Sequence, residues 1–156
     1  WEGLGYYSRV RNLKKAAQVV IKDFNKKLPN NFLDLKSLPG VGDYTASAIL
    51  AIAFNKPFIP LDGNVERVLK RYLHLKKENQ IQKDNLIKSK KVLGTSSRSS
   101  DYAQALMELG ALICKPNNPL CEKCPISKNC KSCAKQDFVL NKIKKGNKDK
   151  CKMQAG

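Results

Sequence analysis

Four cysteines near the C-terminal end, Cys114, Cys121, Cys124 and Cys130, follow one another with the spacing C-x6-C-x2-C-x5-C. Thiols this crowded constrain the surrounding chain more than any other feature, because they tie it around one point. Zinc and an iron–sulfur cluster can both use the tight pair Cys121 and Cys124. The flanking ligands separate the two. Zinc sites usually join two short pairs across a longer loop, whereas here single-spaced ligands wrap one compact point. Pro125 stiffens the loop after the third ligand, and Pro116 and Pro119 do the same between the first and second. A cluster is therefore favoured over zinc. A disulfide framework ranks below both, since nothing in the chain signals secretion. Cys133 and Cys151 are left over. Cys133 can substitute for Cys130 as a ligand, but a spare thiol is the simpler reading.

A chain of 156 residues can bury a core in one domain or support two small interlocked ones. A hydrophobic content of 42% marks a globular chain and not a disordered one. The net charge of +17, from 30 Lys and Arg against 13 Asp and Glu, points to a polyanionic partner. A membrane surface is the competing partner, yet no apolar run approaches the length of a bilayer-spanning helix. No secretory leader stands at the start. The expectation is a cytoplasmic or nucleoid protein, most simply a monomer, that meets DNA or RNA and no membrane. The chain starts at Trp1 inside structured-looking sequence and ends in a Lys-rich polar stretch from Asn141 to Gly156. Both ends read as those of a fragment, and the last residues, 136–156, as a basic, disordered linker.

Helical periodicity runs through most of the chain. Val10, Leu13, Ala17, Val20 and Phe24 predict a helix from about Tyr6 to Phe24, broken by Leu28-Pro29. A short helix from Phe32 to Ser37 leads into Leu38-Pro39-Gly40-Val41-Gly42, and an Ala/Ile-rich helix follows from about Asp43 to Phe54. After Pro60 and Asp62-Gly63-Asn64, a helix to about Leu73 carries Val65, Val68, Leu69 and Tyr72 on one face. A polar stretch contains one further helix near 84–93 and a Ser-rich loop. A last core helix, Tyr102 to Ile113, delivers Cys114. Alternating strands are missing, so the expected class is all-α.

Two short segments have the composition of a site. Leu38 to Gly42 joins two helices by a turn too tight for large side chains. Gly40 and Gly42 permit positive φ and leave backbone N–H groups exposed at the start of the next helix. Such groups bind a phosphate oxygen without reading sequence. Asp62 precedes a helix, where its default role is an N-cap. Its functional role is a carboxylate that stabilises positive charge developing on a sugar or activates water. Asn64 then orients that carboxylate or a water.

The runs LPGVGDYTASAILAIAF, PLDGNVERVLKR and ALMELGALIC, followed by the cysteine loop, closely resemble the helix-hairpin-helix DNA glycosylases that carry a [4Fe–4S] cluster. Within that family the chain looks like the A/G-specific adenine glycosylase branch, and the opening WEGLGYYSRVRNL is especially like it. The resemblance covers about residues 1–135. It implies a helix-hairpin-helix core in residues 1–100, with the hairpin at about 32–54 and the aspartate helix at 62–73. A cluster module would span 101–135. It further implies double-stranded DNA containing adenine opposite 8-oxoguanine or guanine as partner, and base excision repair as the process.

Position by position, Asp62 matches the catalytic aspartate that stabilises the oxocarbenium-like intermediate, and Asn64 an asparagine beside it. Leu38, Gly40 and Gly42 match the hairpin that holds a DNA phosphate. Tyr6 matches a tyrosine that wedges into the duplex, while Tyr7 reads as an aromatic packed under the Gly turn. Cys114, Cys121, Cys124 and Cys130 match the cluster ligands. Lys115, Lys123, Lys128 and Lys131 in their loop would approach the phosphate backbone, although each alone reads as a solvated charge. Tyr44 stands where strand-cleaving relatives of the endonuclease III type place a lysine. A tyrosine cannot form their Schiff base, so base removal without efficient β-elimination is expected. Lys36 and Lys70 are not at the matching position. Tyrosine here also occurs in mismatch thymine glycosylases, the nearest rival reading. The family's general-acid glutamate would lie upstream of Trp1, since Glu2 does not match it. A catalytically incomplete DNA-binding fragment is the alternative from another class.

Overall fold

The computed structural model describes residues 5–75 and 97–138, and every element in them is helical. Helix α1 runs Tyr7–Asp23, and Phe24 closes it with a backbone bond to Val20 O at 3.2 Å. Helix α2, Phe32–Ser37, starts at Asn31, whose side chain accepts from Asp34 N at 2.9 Å. Asn31 Nδ2 in turn donates to Asp34 Oδ2 at 2.5 Å, so the first turn is closed from both sides. After the turn at Leu38–Gly42, α3 spans Asp43–Ala48 and continues into a wider turn, Ile49–Ala53. There Phe54 N bonds back five residues to Ile49 O. Helix α4, Gly63–Leu73, is capped by Asp62 and ends at His74 in the left-handed region. Helix α5, Ser99–Glu108, starts three residues before the predicted Tyr102 and likewise widens over Leu109–Ile113. Cys114 N reaching Leu109 O at 2.7 Å ends it. The predicted helix near 84–93 lies outside the described residues.

Two apolar cores follow from these faces. Ala16 of α1, Leu35 of α2, Leu38, and Ala46 and Leu50 of the α3 rod bury one, with Phe24, Phe32 and Phe58 against it. Ile59, Val65, Val68, Leu69, Leu106 and Leu109 bury the other between α4 and α5. Asn55, itself at positive φ, bridges the end of α3 to the start of α5: its Nδ2 donates to Ser97 O and its Oδ1 accepts from Ser100 N at 3.0 Å. The helix-hairpin-helix therefore sits on the first core and the aspartate helix on the second. A loop with two single turns, Cys121–Lys123 and Ser127–Asn129, then brings a short helix α6, Lys131–Ala134, back onto α4. His74 Nδ1 lies 3.0 Å from Oγ of the buried Ser132, which pins α6 to the end of α4.

Candidate active site and cysteine centre

In the hairpin, Val41 N donates to Leu38 O at 3.1 Å and closes the turn. Gly40 takes φ 80°, the left-handed region, and a Cβ there would stand 2.7 Å from Asn12 Cβ of α1. Glycine is thus required twice over, by backbone conformation and by the close approach of α1. Gly42 differs from the expectation of positive φ. Its φ is −95° in extended backbone, and a Cβ placed there would meet nothing within 4 Å, so it serves as the entry to α3. No side-chain cap closes that end of α3. The Leu38 side chain belongs to the core, only 3% exposed, so it faces away from solvent and supports the turn from beneath. Lys36 pairs with Asp43 at 2.6 Å across the hairpin, and Lys70 with Glu66 at 2.5 Å along α4.

Asp62 takes the cap position that its place before a helix implies: its Oδ1 accepts from Val65 N at 2.7 Å. Asn64, two residues on, is held by Arg67, whose Nη2 donates to Asn64 Oδ1 at 2.9 Å and to Gly110 O at 2.6 Å. Arg67 Nε donates to Cys114 O at 2.8 Å. Burial pulls the Arg67 pKa below its ordinary value; Cys114 raises it, neighbouring Arg71 lowers it and Asp62 raises it. Gly110 packs flat on Asn64, so a Cβ there would lie 2.9 Å from Asn64 Cβ and 3.0 Å from its carbonyl. Asn64 is therefore oriented by Arg67 and by the close-packed Gly110, and no bond joins it to Asp62 among the described residues. Tyr44, in the first turn of α3, is 42% exposed, and Tyr6 is 69% exposed at φ 52° with the Arg9 guanidinium 4.7 Å over its ring. Tyr7 is exposed as well, not packed beneath a turn, because α1 turns that face outward.

The cysteines draw together as their spacing implies. Cys114, Cys121, Cys124 and Cys130 line one cavity with Val68, Leu109, Ile113 and Ile126, and Cys133 lines it too. Burial pushes the Cys121 thiol up to about 11, helped by Cys133, which also hydrogen-bonds it, and by Cys114 and Cys124. Cys124 is raised by burial, against a backbone hydrogen bond at Ile126 that lowers it. Among the described residues no three His, Cys, Asp or Glu side chains gather as tightly as a single metal ion requires. An all-thiol ring on an apolar surround suits a soft, sulfur-rich group. Buried Arg71 holds the entry to this ring: Nη1 donates to Lys115 O at 2.6 Å and stands 3.5 Å from Cys114 Sγ, and Nη2 donates to Pro116 O at 2.8 Å. Lys115, Lys123, Lys128 and Lys131 are all exposed on the loop.

Sequence reasoning missed Arg67, Arg71, Gly110 and Asn12. One signal was present: Asn64, Arg67 and Arg71 fall on one stripe of α4 beside the apolar face, a polar line next to buried positions. Gly110 and Asn12 carry no local signal, because their role is to be approached by a distant segment.

The profile of the HhH-GPD superfamily base excision DNA repair protein matches residues 1–91. This chain belongs to that superfamily. Its relatives include the adenine DNA glycosylase of Buchnera aphidicola subsp. Baizongia pistaciae, 39% identical over 92% of this chain and 39% of that protein. The human adenine DNA glycosylase is 40% identical over 85% of this chain and 25% of its own length. The chain thus spans well under half of the curated relatives it matches. A thermostable thymine-DNA glycosylase superposes with a TM-score of 0.66 at 36% identity, covering 81% of this chain and 59% of that one. An endonuclease III trapped as a covalent intermediate with DNA superposes with a TM-score of 0.65 at 28% identity, covering 84% and 61%. The superfamily's helical fold is the one described above. No helix among the described residues is long and apolar enough to cross a membrane.

Proposed function

We propose that this member of the superfamily is the base-excising core of an adenine DNA glycosylase, acting on adenine opposite 8-oxoguanine or guanine in duplex DNA. The observation that carries the reading is Asp62 at the mouth of α4, where its Oδ1 accepts from Val65 N and fixes the carboxylate at the start of the helix. Identity of 39% and 40% to curated adenine DNA glycosylases supports the choice of base. Work on chromosomal DNA by a monomer, nucleoid-associated in the cytoplasm, goes with it.

In this mechanism the hairpin N–H groups at Gly40 and Gly42 hold a phosphate, and exposed Tyr6 enters the duplex and helps extrude the base. The C1′–N9 bond breaks with its electron pair leaving on adenine. Positive charge grows over C1′ and O4′ of the sugar, and the Asp62 carboxylate stabilises it. Adenine takes up a proton from solvent, and water adds to C1′ and returns a proton to solvent, leaving neutral adenine and an abasic site. Arg67 keeps Asn64 turned beside this centre. Tyr44 offers no amine, so the sugar stays free of a Schiff base and the strand stays whole.

Cys114, Cys121, Cys124 and Cys130 would hold a [4Fe–4S] cluster, their sulfurs ringing a cavity and not meeting at one point. When bound, it supplies a rigid crosslink of the loop that presents Lys115, Lys123, Lys128 and Lys131 to DNA. A second reading, mismatch thymine or uracil removal, draws on the superposition with a thymine-DNA glycosylase.

A single-turnover assay of the chain on an adenine:8-oxoguanine duplex, with alkali to cut abasic sites, tests the proposal. Guanine:thymine and guanine:uracil duplexes run beside it. Adenine release is expected. Thymine or uracil release would overturn the base assignment, and binding without any release would make the chain a DNA-binding fragment.

A further inference from the structure

Cys133 is not a spare thiol on the surface. It lines the same cavity as the four matched cysteines. It also follows Cys130 by one helical turn. Cys130 is the cap of α6, and Ala134 N donates to Cys130 O at 3.0 Å, so residues 130 and 133 share a face. That face is held in place. Ser132 is buried and bonded to His74, and α6 is packed along α4. The two sulfurs therefore border one cavity from a single turn of the chain.

We infer that Cys133 is a reserve ligand of the cysteine centre, taking the place of Cys130 when Cys130 cannot serve. The inference rests on the cluster reading above. The exchange needs no oxidant or reductant: the Cys133 thiol gives its proton to solvent and its sulfur takes the vacant position on iron, while a displaced Cys130 takes up a proton. A centre ringed by five thiols thus tolerates loss of one at this corner, whereas Cys114 has no cysteine at helical spacing, and Cys121 and Cys124 have only each other, both already ligands.

The test compares the parent chain with Cys130→Ala, Cys133→Ala and the double variant, purified without oxygen. Alanine leaves no side-chain atom able to bind iron. Iron, acid-labile sulfide, visible charge-transfer absorbance and far-UV circular dichroism are read for each. Each single variant is expected to keep iron within about twofold of the parent, and the double variant to lose about tenfold or more. Maleimide labelling read by mass spectrometry adds a site-specific measure. Cys133 should be labelled in the parent, protected in Cys130→Ala, and labelled again once a chelator strips the iron. Cys130→Ala falling as low as the double variant in iron, whether or not helicity falls too, overturns the inference. So does labelling of Cys133 in a Cys130→Ala protein that retains iron. A parent chain without iron defeats the cluster reading itself, and that outcome is distinct from loss in the variant alone.

Discussion

Arg67 Nη2 donates to Asn64 Oδ1 at 2.9 Å, one turn along α4 from the residue that follows Asp62 by two. The same guanidinium bonds the carbonyls of Gly110 and Cys114, so a single side chain fixes the amide beside the candidate carboxylate and the first cysteine of the loop. The entry to the cysteine centre and the mouth of α4 are therefore parts of one rigid unit, joined across 43 residues of sequence or more.

Gly110→Ala drives a methyl group against Asn64 where only a hydrogen fits. Overpacking of this kind should cost about 1–3 kcal/mol in denaturant unfolding. It should also slow adenine release by displacing Asn64, with DNA affinity less affected. An unfolding midpoint equal to the parent's would mean that α5 moves aside freely.

Arg71→Met removes a cation that is only 4% exposed and leaves the carbonyls of Lys115 and Pro116 without their donors. A loss of about 2–4 kcal/mol is expected, together with lower iron content. Arg71→Lys should recover little, because an ammonium cannot span two carbonyls as the planar fork does. Urea titration and metal analysis of both variants check this.

Asp62→Asn keeps an oxygen able to cap α4 while removing the negative charge. Stability should stay within about 1 kcal/mol of the parent. Adenine release should fall by at least about 10²-fold, with binding retained. Wild-type rates in this variant would reduce Asp62 to a helix cap.

Gly40→Ala meets both a left-handed backbone and Asn12 Cβ at 2.7 Å. A cost of about 1–3 kcal/mol and weaker DNA binding are expected. Adding Asn12→Ala should restore little, since the nearest atom is the Cβ that alanine keeps. Full recovery in the pair would place the whole cost in the amide.

Raising salt should lower DNA affinity steeply, with log K against log salt falling by about 0.9 for each phosphate the protein neutralises. Lys123→Ala and Lys128→Ala should each flatten the slope by up to about one such step if their exposed amines contact the backbone. An unchanged slope in both would move the electrostatic surface elsewhere on this strongly basic chain.

Much of the architecture was legible because it is local. The bounds of α2 and the start of α3 follow from Asn31, the Leu38–Gly42 turn and the apolar period, each acting within a few residues. Asp62 was legible as a cap for the same reason, and the cysteine spacing foretold a shared cavity. The widened turns at Ile49–Ala53 and Leu109–Ile113 were not legible, since helix propensity reads them as continuous α-helix. Packing selects the wider hydrogen bond that lets Phe54 and Cys114 leave their rods. Of the two glycines expected to permit positive φ, Gly40 takes it at 80°, where the chain reverses, while Gly42 is extended at −95° and leads into α3.

By itself the sequence determined the helical class of the described residues, a glycine hairpin, a capped aspartate helix, a clustering of thiols and a strongly basic charge. Periodicity, capping and charge act over one or two turns, so they survive in the linear order of residues. Only the tertiary structure decided that Arg67 and Arg71 join α4 to the cysteine loop, that Gly110 must be small, and that Cys133 lines the same cavity as the other four cysteines. Those outcomes depend on which buried carbonyl lacks a donor once distant segments meet, and on how closely two backbones can pack. Neither quantity exists until the chain has folded.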